Sequence, residues 1–246
     1  MSARNIMVAL PAYNGTVRVE TAACLVQASR ECTEMGWNFN FQLCIGDSIL
    51  PRARNRFIAN AIADKTITDL VFLDHDISWG KNAFIRLMSH PVDMVAGVYP
   101  KREDPISFPC RFLDNEPIKL DEDKPLIEVE GVPAGFLRIS TKALRVMVDH
   151  YYHLKYEENE AHNKTAWSLF DFQQVDGRYW GEDFVFCRRW RAMGGKVYVD
   201  PVLDFAHIGN KAFHGCMADW LKWEAEQKLA ASKPVVRVPA NSSARA

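Results

Sequence analysis

Short apolar runs alternate with segments of helical periodicity through the first hundred residues, and this alternation limits the fold more than any other feature. Residues 6–10 (Ile-Met-Val-Ala-Leu) are continuously apolar and close on Pro11-Ala12-Tyr13-Asn14-Gly15, a strand followed by a loop. Residues 21–35 carry Ala22, Leu25, Val26 and Ala28 on one helical face, and Gly36 ends the helix. A strand over 39–45, a helix over 51–63, an apolar strand over 69–73, a helix over 82–89 and a strand over 93–99 follow. Repeated strand–helix units predict an α/β fold with a Rossmann-type, mostly parallel sheet flanked by helices. Ligands of such sheets sit at the carboxyl ends of strands, which singles out the loop after the first strand and the corner Asp74-His75-Asp76.

The second half reads differently. Strands are expected over 106–112, 125–132, 136–140, 167–175 and 197–199, with an acidic turn at Asp121-Glu122-Asp123 and a solvated loop over 157–164. Thr141 is expected to cap a helix toward Tyr152. Further helices are expected from Gly181-Glu182-Asp183 to Met193, closed by Gly194-Gly195, and over 216–229. The absence of a clean linker or repeat favours one domain over 1–231, with a first half over 1–103, a second half with a small mixed sheet over 104–231, and a flexible tail from 232 to 246.

Thirty Lys and Arg against 31 Asp and Glu leave a net charge of −1. Such a chain has no overall electrostatic drive toward nucleic acid or anionic membrane, so neither is expected as a partner, and an anionic ligand needs a local site. No run approaches the ~20 apolar residues of a membrane span. The six cysteines (Cys24, Cys32, Cys44, Cys110, Cys187, Cys216) are scattered without a C-x-x-C pair, which fits reduced thiols in a cytoplasmic protein.

Four constellations could carry chemistry. Asp74 and Asp76, one residue apart after the apolar Phe72-Leu73, can offer oxygen ligands to a hard divalent cation beside a phosphate. Glu182 and Asp183 at a helix start suit either the helix dipole or a general base aimed at a hydroxyl. His207, among apolar residues, is either a packed histidine or a metal ligand; His150, His153 and His162 read as surface residues. Arg52, Arg54 and Arg56 surround Asn55 at a helix start, where guanidinium forks suit a phosphate or base edge; Lys101, Arg102 and Lys211 could clamp a diphosphate.

In this order the motifs resemble the GT-A fold glycosyltransferases. That family has a nucleotide-binding loop after its first strand, matched by Pro11 to Gly15. Its D-x-D motif after an apolar strand is matched by 74–76, its x-E-D motif by 181–183, and its C-terminal metal-binding histidine by His207. The stretch Gly131-Val132-Pro133-Ala134-Gly135-Phe136 resembles the one before the family's acceptor region. The resemblance implies Mn2+ or Mg2+ held by Asp74, Asp76 and His207, Asp74 reaching the ribose or a metal-bound water. Nucleotide contacts would come from Pro11, Ala12, Tyr13 (stacking on the base), Asn14, Arg52, Arg54, Asn55, Asp74, His75 and Lys211. Asp183 would be the base, with Glu182 beside it. The implied donor is a nucleotide-diphosphate sugar, UDP-linked by family frequency, and the acceptor is an unspecified hydroxyl. The N-terminal loop lacks the longer acidic run of the large inverting families, so inversion and retention both stay open. Two other readings compete: a nucleotide-sugar-binding protein without turnover, and a haloacid-dehalogenase-like phosphohydrolase, whose later G-D-x-x-x-D is missing here.

Overall fold

A computed structural model describes residues 3–113, 120, 125–161 and 164–232. The first half runs β1 (Asn5–Pro11), α1 (Val19–Glu34), β2 (Asn38–Cys44), α2 (Leu50–Ala63), β3 (Asp69–Leu73), β4 (Ile77–Trp79), α3 (Ala83–Ser89) and β5 (Met94–Ala96). After it come β6 (Arg111–Phe112), β7 (Ile127–Gly131), β8 (Phe136–Ser140), α4 (Thr141–His150), β9 (Lys155–Glu157), β10 (Thr165–Trp167), β11 (Gln173–Val175) and β12 (Arg178–Trp180). The chain closes with α5 (Glu182–Ala192), β13 (Val197–Val199), β14 (Asp204–Ile208), β15 (Ala212–Cys216) and α6 (Met217–Ser232).

Eight strands form one sheet in the order β2-β1-β3-β8-β5-β13-β7-β6, so both halves of the chain share it. The expected predominance of parallel pairing is corrected: three neighbour pairs are parallel (β1–β2, β1–β3, β5–β13) and four are antiparallel. Crossover helices enforce parallel pairing only in the first half. β8 arrives without one and inserts antiparallel between β3 and β5.

Alternation along the central strands sends side chains into two cores. Met7, Ala9, Leu70 and Phe72 pack with α2, α4 and α5 on one face, while Ile6, Val8, Val71 and Leu73 pack with α1 and α3 on the other. With both faces covered, β3 must be apolar throughout, and all five of its residues are buried.

β4, absent from the sequence reading, positions the site. It leaves the main sheet and joins β14 and β15 in a separate sheet, which is antiparallel rather than mixed. Smaller corrections have local causes. Ser140, not Thr141, caps α4 by accepting from the Ala143 N–H at 3.1 Å; the Thr141 hydroxyl instead donates to the Ile67 carbonyl. The single strand expected over 167–175 is two strands separated at Phe170, whose backbone is held by a side chain described below. The 93–99 strand shortens to β5, and just past it Gly97 lies against the Phe205 ring, which a Cβ there would strike. Only Arg111–Phe112 of the 106–112 stretch is strand. Glu158 and Ala161 are buried, so 157–164 is not simply a solvated loop. All six cysteines are free. Among the described residues no helix is long and apolar enough to cross a membrane. The acidic turn at 121–123, His162 and the tail after Ser232 lie outside the described residues.

Candidate functional site

The corner after β3 divides its two aspartates between two environments. The Asp74 N–H donates to the Gly135 carbonyl at 3.0 Å. Its carboxylate accepts from the Tyr99 hydroxyl at 3.1 Å and from the Arg54 guanidinium at 3.3 Å. Gly135 is required by this approach, since a Cβ would collide with both Asp74 and Tyr99. Arg54, buried in α2, also donates to Glu182 at 2.7 Å and lies over the Phe170 ring. A single guanidinium thus joins the end of β3 to the start of α5, bringing together motifs 108 residues apart (182 − 74).

Asp183 sits in the same cluster. The sequence expectation was a carboxylate favoured by the helix dipole, but burial dominates. Desolvation pushes its pKa up to about 6, with Arg54 opposing and the Glu182 charge adding to the rise. That value lies close to neutrality, where a carboxylate can both exist ionised and accept a proton in a reaction.

Asp76 faces the other way. β14 pairs antiparallel with β4, setting His207 opposite Ile77, and the Ile208 N–H donates to the Asp76 carbonyl at 2.8 Å. The three-stranded sheet therefore carries His207 across 131 residues (207 − 76) to Asp76, with Nε2 3.7 Å from a carboxylate oxygen. His207 Nδ1 is 2.9 Å from the Pro100 carbonyl oxygen. That oxygen can only accept, so Nδ1 carries the proton and Nε2 presents its lone pair toward Asp76. Burial lowers the His207 pKa and keeps the ring neutral. The donor set of a carboxylate and a bare imidazole nitrogen fits a divalent cation chemically. Arg102 now ion-pairs with Asp76, however, and Asp74 is engaged with Arg54 and Tyr99. Among the described residues no three His, Cys, Asp or Glu side chains converge to hold a metal ion as the chain stands.

A cationic rim borders this pair. The Arg18 N–H donates to the His75 carbonyl at 2.9 Å, and its guanidinium reaches the Gly209 carbonyl at 3.5 Å. The Arg102 side chain lies beside Gly209, and Lys211, in the same β14–β15 turn, pairs with Asp104. Sequence reasoning missed Arg18 and Tyr99. Arg18 precedes a helix without any motif, and Tyr99 reads as the tail of an apolar strand.

The loop after β1 is held against the end of β2: the Ala12 N–H donates to Cys44, and Gly46 N–H to Tyr13. Pro11 ends β1, Ala12 is buried, and Tyr13 and Asn14 are exposed, Tyr13 at 58%. Arg52 makes a two-pronged pair with Asp47, at 2.8 and 3.0 Å, in the adjoining β2–α2 loop; Arg56 joins the same carboxylate at 2.6 Å.

Asn55 has a different employment from that expected. Its amide donates to the Phe170 carbonyl at 2.9 Å and accepts from the Phe170 N–H at 2.8 Å, all buried. Two strand-like hydrogen bonds from one side chain hold the break between β10 and β11. Asn55→Ala should cost ~2–5 kcal/mol in urea unfolding, as two buried backbone groups lose their partners. A loss of nucleotide affinity at unchanged stability would instead make Asn55 a ligand contact.

A cleft of about 580 Å³ between Glu130, Tyr151, Gln173 and Arg188, beside α5, lies away from all this. It contains none of the expected site residues.

No protein-family model matches the sequence, and no curated protein does. Among solved structures the fold is similar to A197 from STIV, with a TM-score of 0.54, 16% identity, and coverage of 87% of this chain and 91% of that one. At that identity the likeness is one of fold. A second similar structure is a glycosyltransferase involved in the glycosylation of the major capsid of PBCV-1. It has a TM-score of 0.35, 12% identity and coverage of 65% and 69%, a likeness too slight to carry an argument.

Proposed function

We propose that the chain transfers a glycosyl group from a nucleotide-diphosphate sugar, UDP-linked in the first instance, to an acceptor hydroxyl. The observation that carries this reading is the Arg54 bridge, which sets the Asp74 corner beside the Glu182–Asp183 helix start. One motif suits a sugar nucleotide and the other a hydroxyl nucleophile, and a transferase needs both within one site.

The acceptor oxygen bonds to the anomeric carbon as that carbon's bond to the diphosphate oxygen breaks. The hydroxyl proton passes to the Asp183 carboxylate, and the electron pair of the broken bond leaves with the nucleoside diphosphate. Arg54 pairs with both Asp74 and Glu182 and its single positive charge compensates one of the two, so Asp183 need not ionise beside two uncompensated charges. Arg18, Arg102 and Lys211 offer positive charge to the diphosphate, the arginines through two-pronged contacts. Tyr13 stacks on the base, and Arg52 stands at the adjoining loop.

Mn2+ or Mg2+ is the expected cofactor. Asp76 and His207 would hold it once Arg102 transfers from Asp76 to the diphosphate. Bound there, the ion supplies Lewis-acid neutralisation of the leaving group.

The test is calorimetric titration of UDP with and without Mn2+, followed by donor consumption with and without acceptor hydroxyls. UDP should bind more tightly with Mn2+, and Asp76→Ala should remove that gain while leaving metal-free binding in place. UDP binding indifferent to Mn2+ in the parent would sink the cation assignment. Donor bound but never consumed would make the chain a binding protein on this scaffold.

A further inference from the structure

The hairpin leading into α5 carries an exposed aromatic face that the donor site does not use. β11 and β12 pair antiparallel, with Gln174 opposite Tyr179 and Gln173 opposite Trp180. Strand alternation therefore sorts Phe172, Gln174 and Tyr179 to one face and Gln173 and Trp180 to the other. Burial follows the same division. Trp180 is buried, its ring near the guanidinium groups of Arg111 and Arg188 at 4.0 and 4.2 Å, whereas Phe172, Gln174 and Tyr179 are exposed. The Phe172 and Tyr179 rings stack nearly parallel, their planes 19° apart and their centroids separated by 5.9 Å, and are 47% and 73% exposed.

This face runs into the proposed base. Gly181 is extended, so its Cα–Cβ direction repeats that of Tyr179 two residues earlier. A Cβ built on Gly181 comes within 3.3 Å of Asp183 Oδ1. The aromatic face and the Asp183 carboxylate thus share one side of the chain. The glycine between them leaves the space in front of that oxygen open.

We propose that Phe172, Gln174 and Tyr179 form the acceptor platform and that the acceptor is a pyranose of an oligosaccharide. The inference rests on the transfer reading above and names its acceptor class. A pyranose presents a face of C–H groups with partial positive charge, which complements the negative face of an aromatic ring. Its hydroxyls project at the rim, where the Gln174 amide can both donate and accept. A polyanionic acceptor would need cations, and Phe172, Gln174 and Tyr179 are all uncharged. A lipid chain would need an enclosed apolar slot, and two open rings flanking an amide do not make one.

The experiment is saturation-transfer NMR on the full chain with UDP and Mn2+, using maltotetraose, cellotetraose, chitotetraose and mannotetraose as probes. At least one should bind. Tyr179→Val and Phe172→Leu should each weaken it about tenfold, while Tyr179→Trp, which restores a ring, retains it. UDP affinity and melting temperature in Tyr179→Trp should match the parent, separating stacking from hairpin stability. Binding of none of the four by a chain that binds UDP overturns the platform, as does binding unchanged in both Tyr179→Val and Phe172→Leu. Oligosaccharide binding that depends on Tyr179 in a chain that does not bind UDP supports the platform and overturns the transferase reading instead.

Discussion

Asp183→Asn should cut transfer to acceptor ~100- to 10,000-fold, the usual worth of general-base assistance, while UDP affinity stays at the parental value. The substitution keeps the shape and removes the basicity. Because the ionised form is the active one and burial lifts its pKa to about 6, parental transfer should rise with pH up to about 6 and then level, and that limb should vanish in the variant. The stability signature has the opposite sense. The folded pKa lies above the unfolded one, so the native state holds this proton more tightly. Through Asp183 alone, stability is favoured below the unfolded pKa and declines as pH rises toward about 6, beyond which the buried charge costs its full amount. Asp183→Asn removes that decline, so at pH 7 it should melt no lower than the parent. A group that weakens the fold while serving the reaction is the usual trade at a working site. Parental transfer rates in the variant would make Asp183 a helix-start residue only, and Glu182 would inherit the role. Lost UDP affinity would assign Asp183 to the donor site.

The parts of this arrangement visible in the sequence are those written in local periodicity. β1, α1, β2, α2 and β3 fall within a few residues of their expected bounds because each has its own apolar pattern and a breaker at its end. Gly181-Glu182-Asp183 is legible for the same reason, as a helix start. What joins them is not local. Arg54 reads as one of three similar arginines; its burial and its two carboxylate partners depend on α2 packing under Phe170. Asn55 looks like a ligand contact beside those arginines, and only the fold shows its amide spent on the Phe170 backbone. β4 is three residues long, too short for any period, and its partner lies more than a hundred residues away. The pairing of Asp76 with His207 is therefore expected from motif order but explained only by the sheet of β4, β14 and β15. The mixed sheet was likewise illegible, because strand direction is decided by connections whose short strands carry no signal of their own.

Arg54→Met should be the most destabilising single change in the site. The parent guanidinium is buried against Asp74 and Glu182, and Asp183 lies in the same cluster. Methionine keeps much of the aliphatic stem over Phe170 but removes the only charge balancing these carboxylates among the contacts described. Breaking a buried pair from one side costs up to ~3–5 kcal/mol, and here the half-buried Asp74 and Glu182 charges and the Asp183 carboxyl lose their compensation. The same loss takes away the interaction that holds the Asp183 pKa down, so that pKa should move above about 6. Raised folded pKa values mean a penalty that is complete at high pH and relieved as protons bind. Urea unfolding should therefore show a deficit that is largest at pH 7 and smaller at pH 5. Any residual transfer should need a higher pH than in the parent. Arg54→Lys should recover part of the stability but not the joint contact, since an ammonium is a point charge that lacks the fork spanning both carboxylates. A deficit below about 1 kcal/mol, the range of an exposed ion pair, would mean that Arg54 does not couple the two motifs. An equal deficit at pH 5 and pH 7 would show that the lost contact is packing over Phe170 rather than charge.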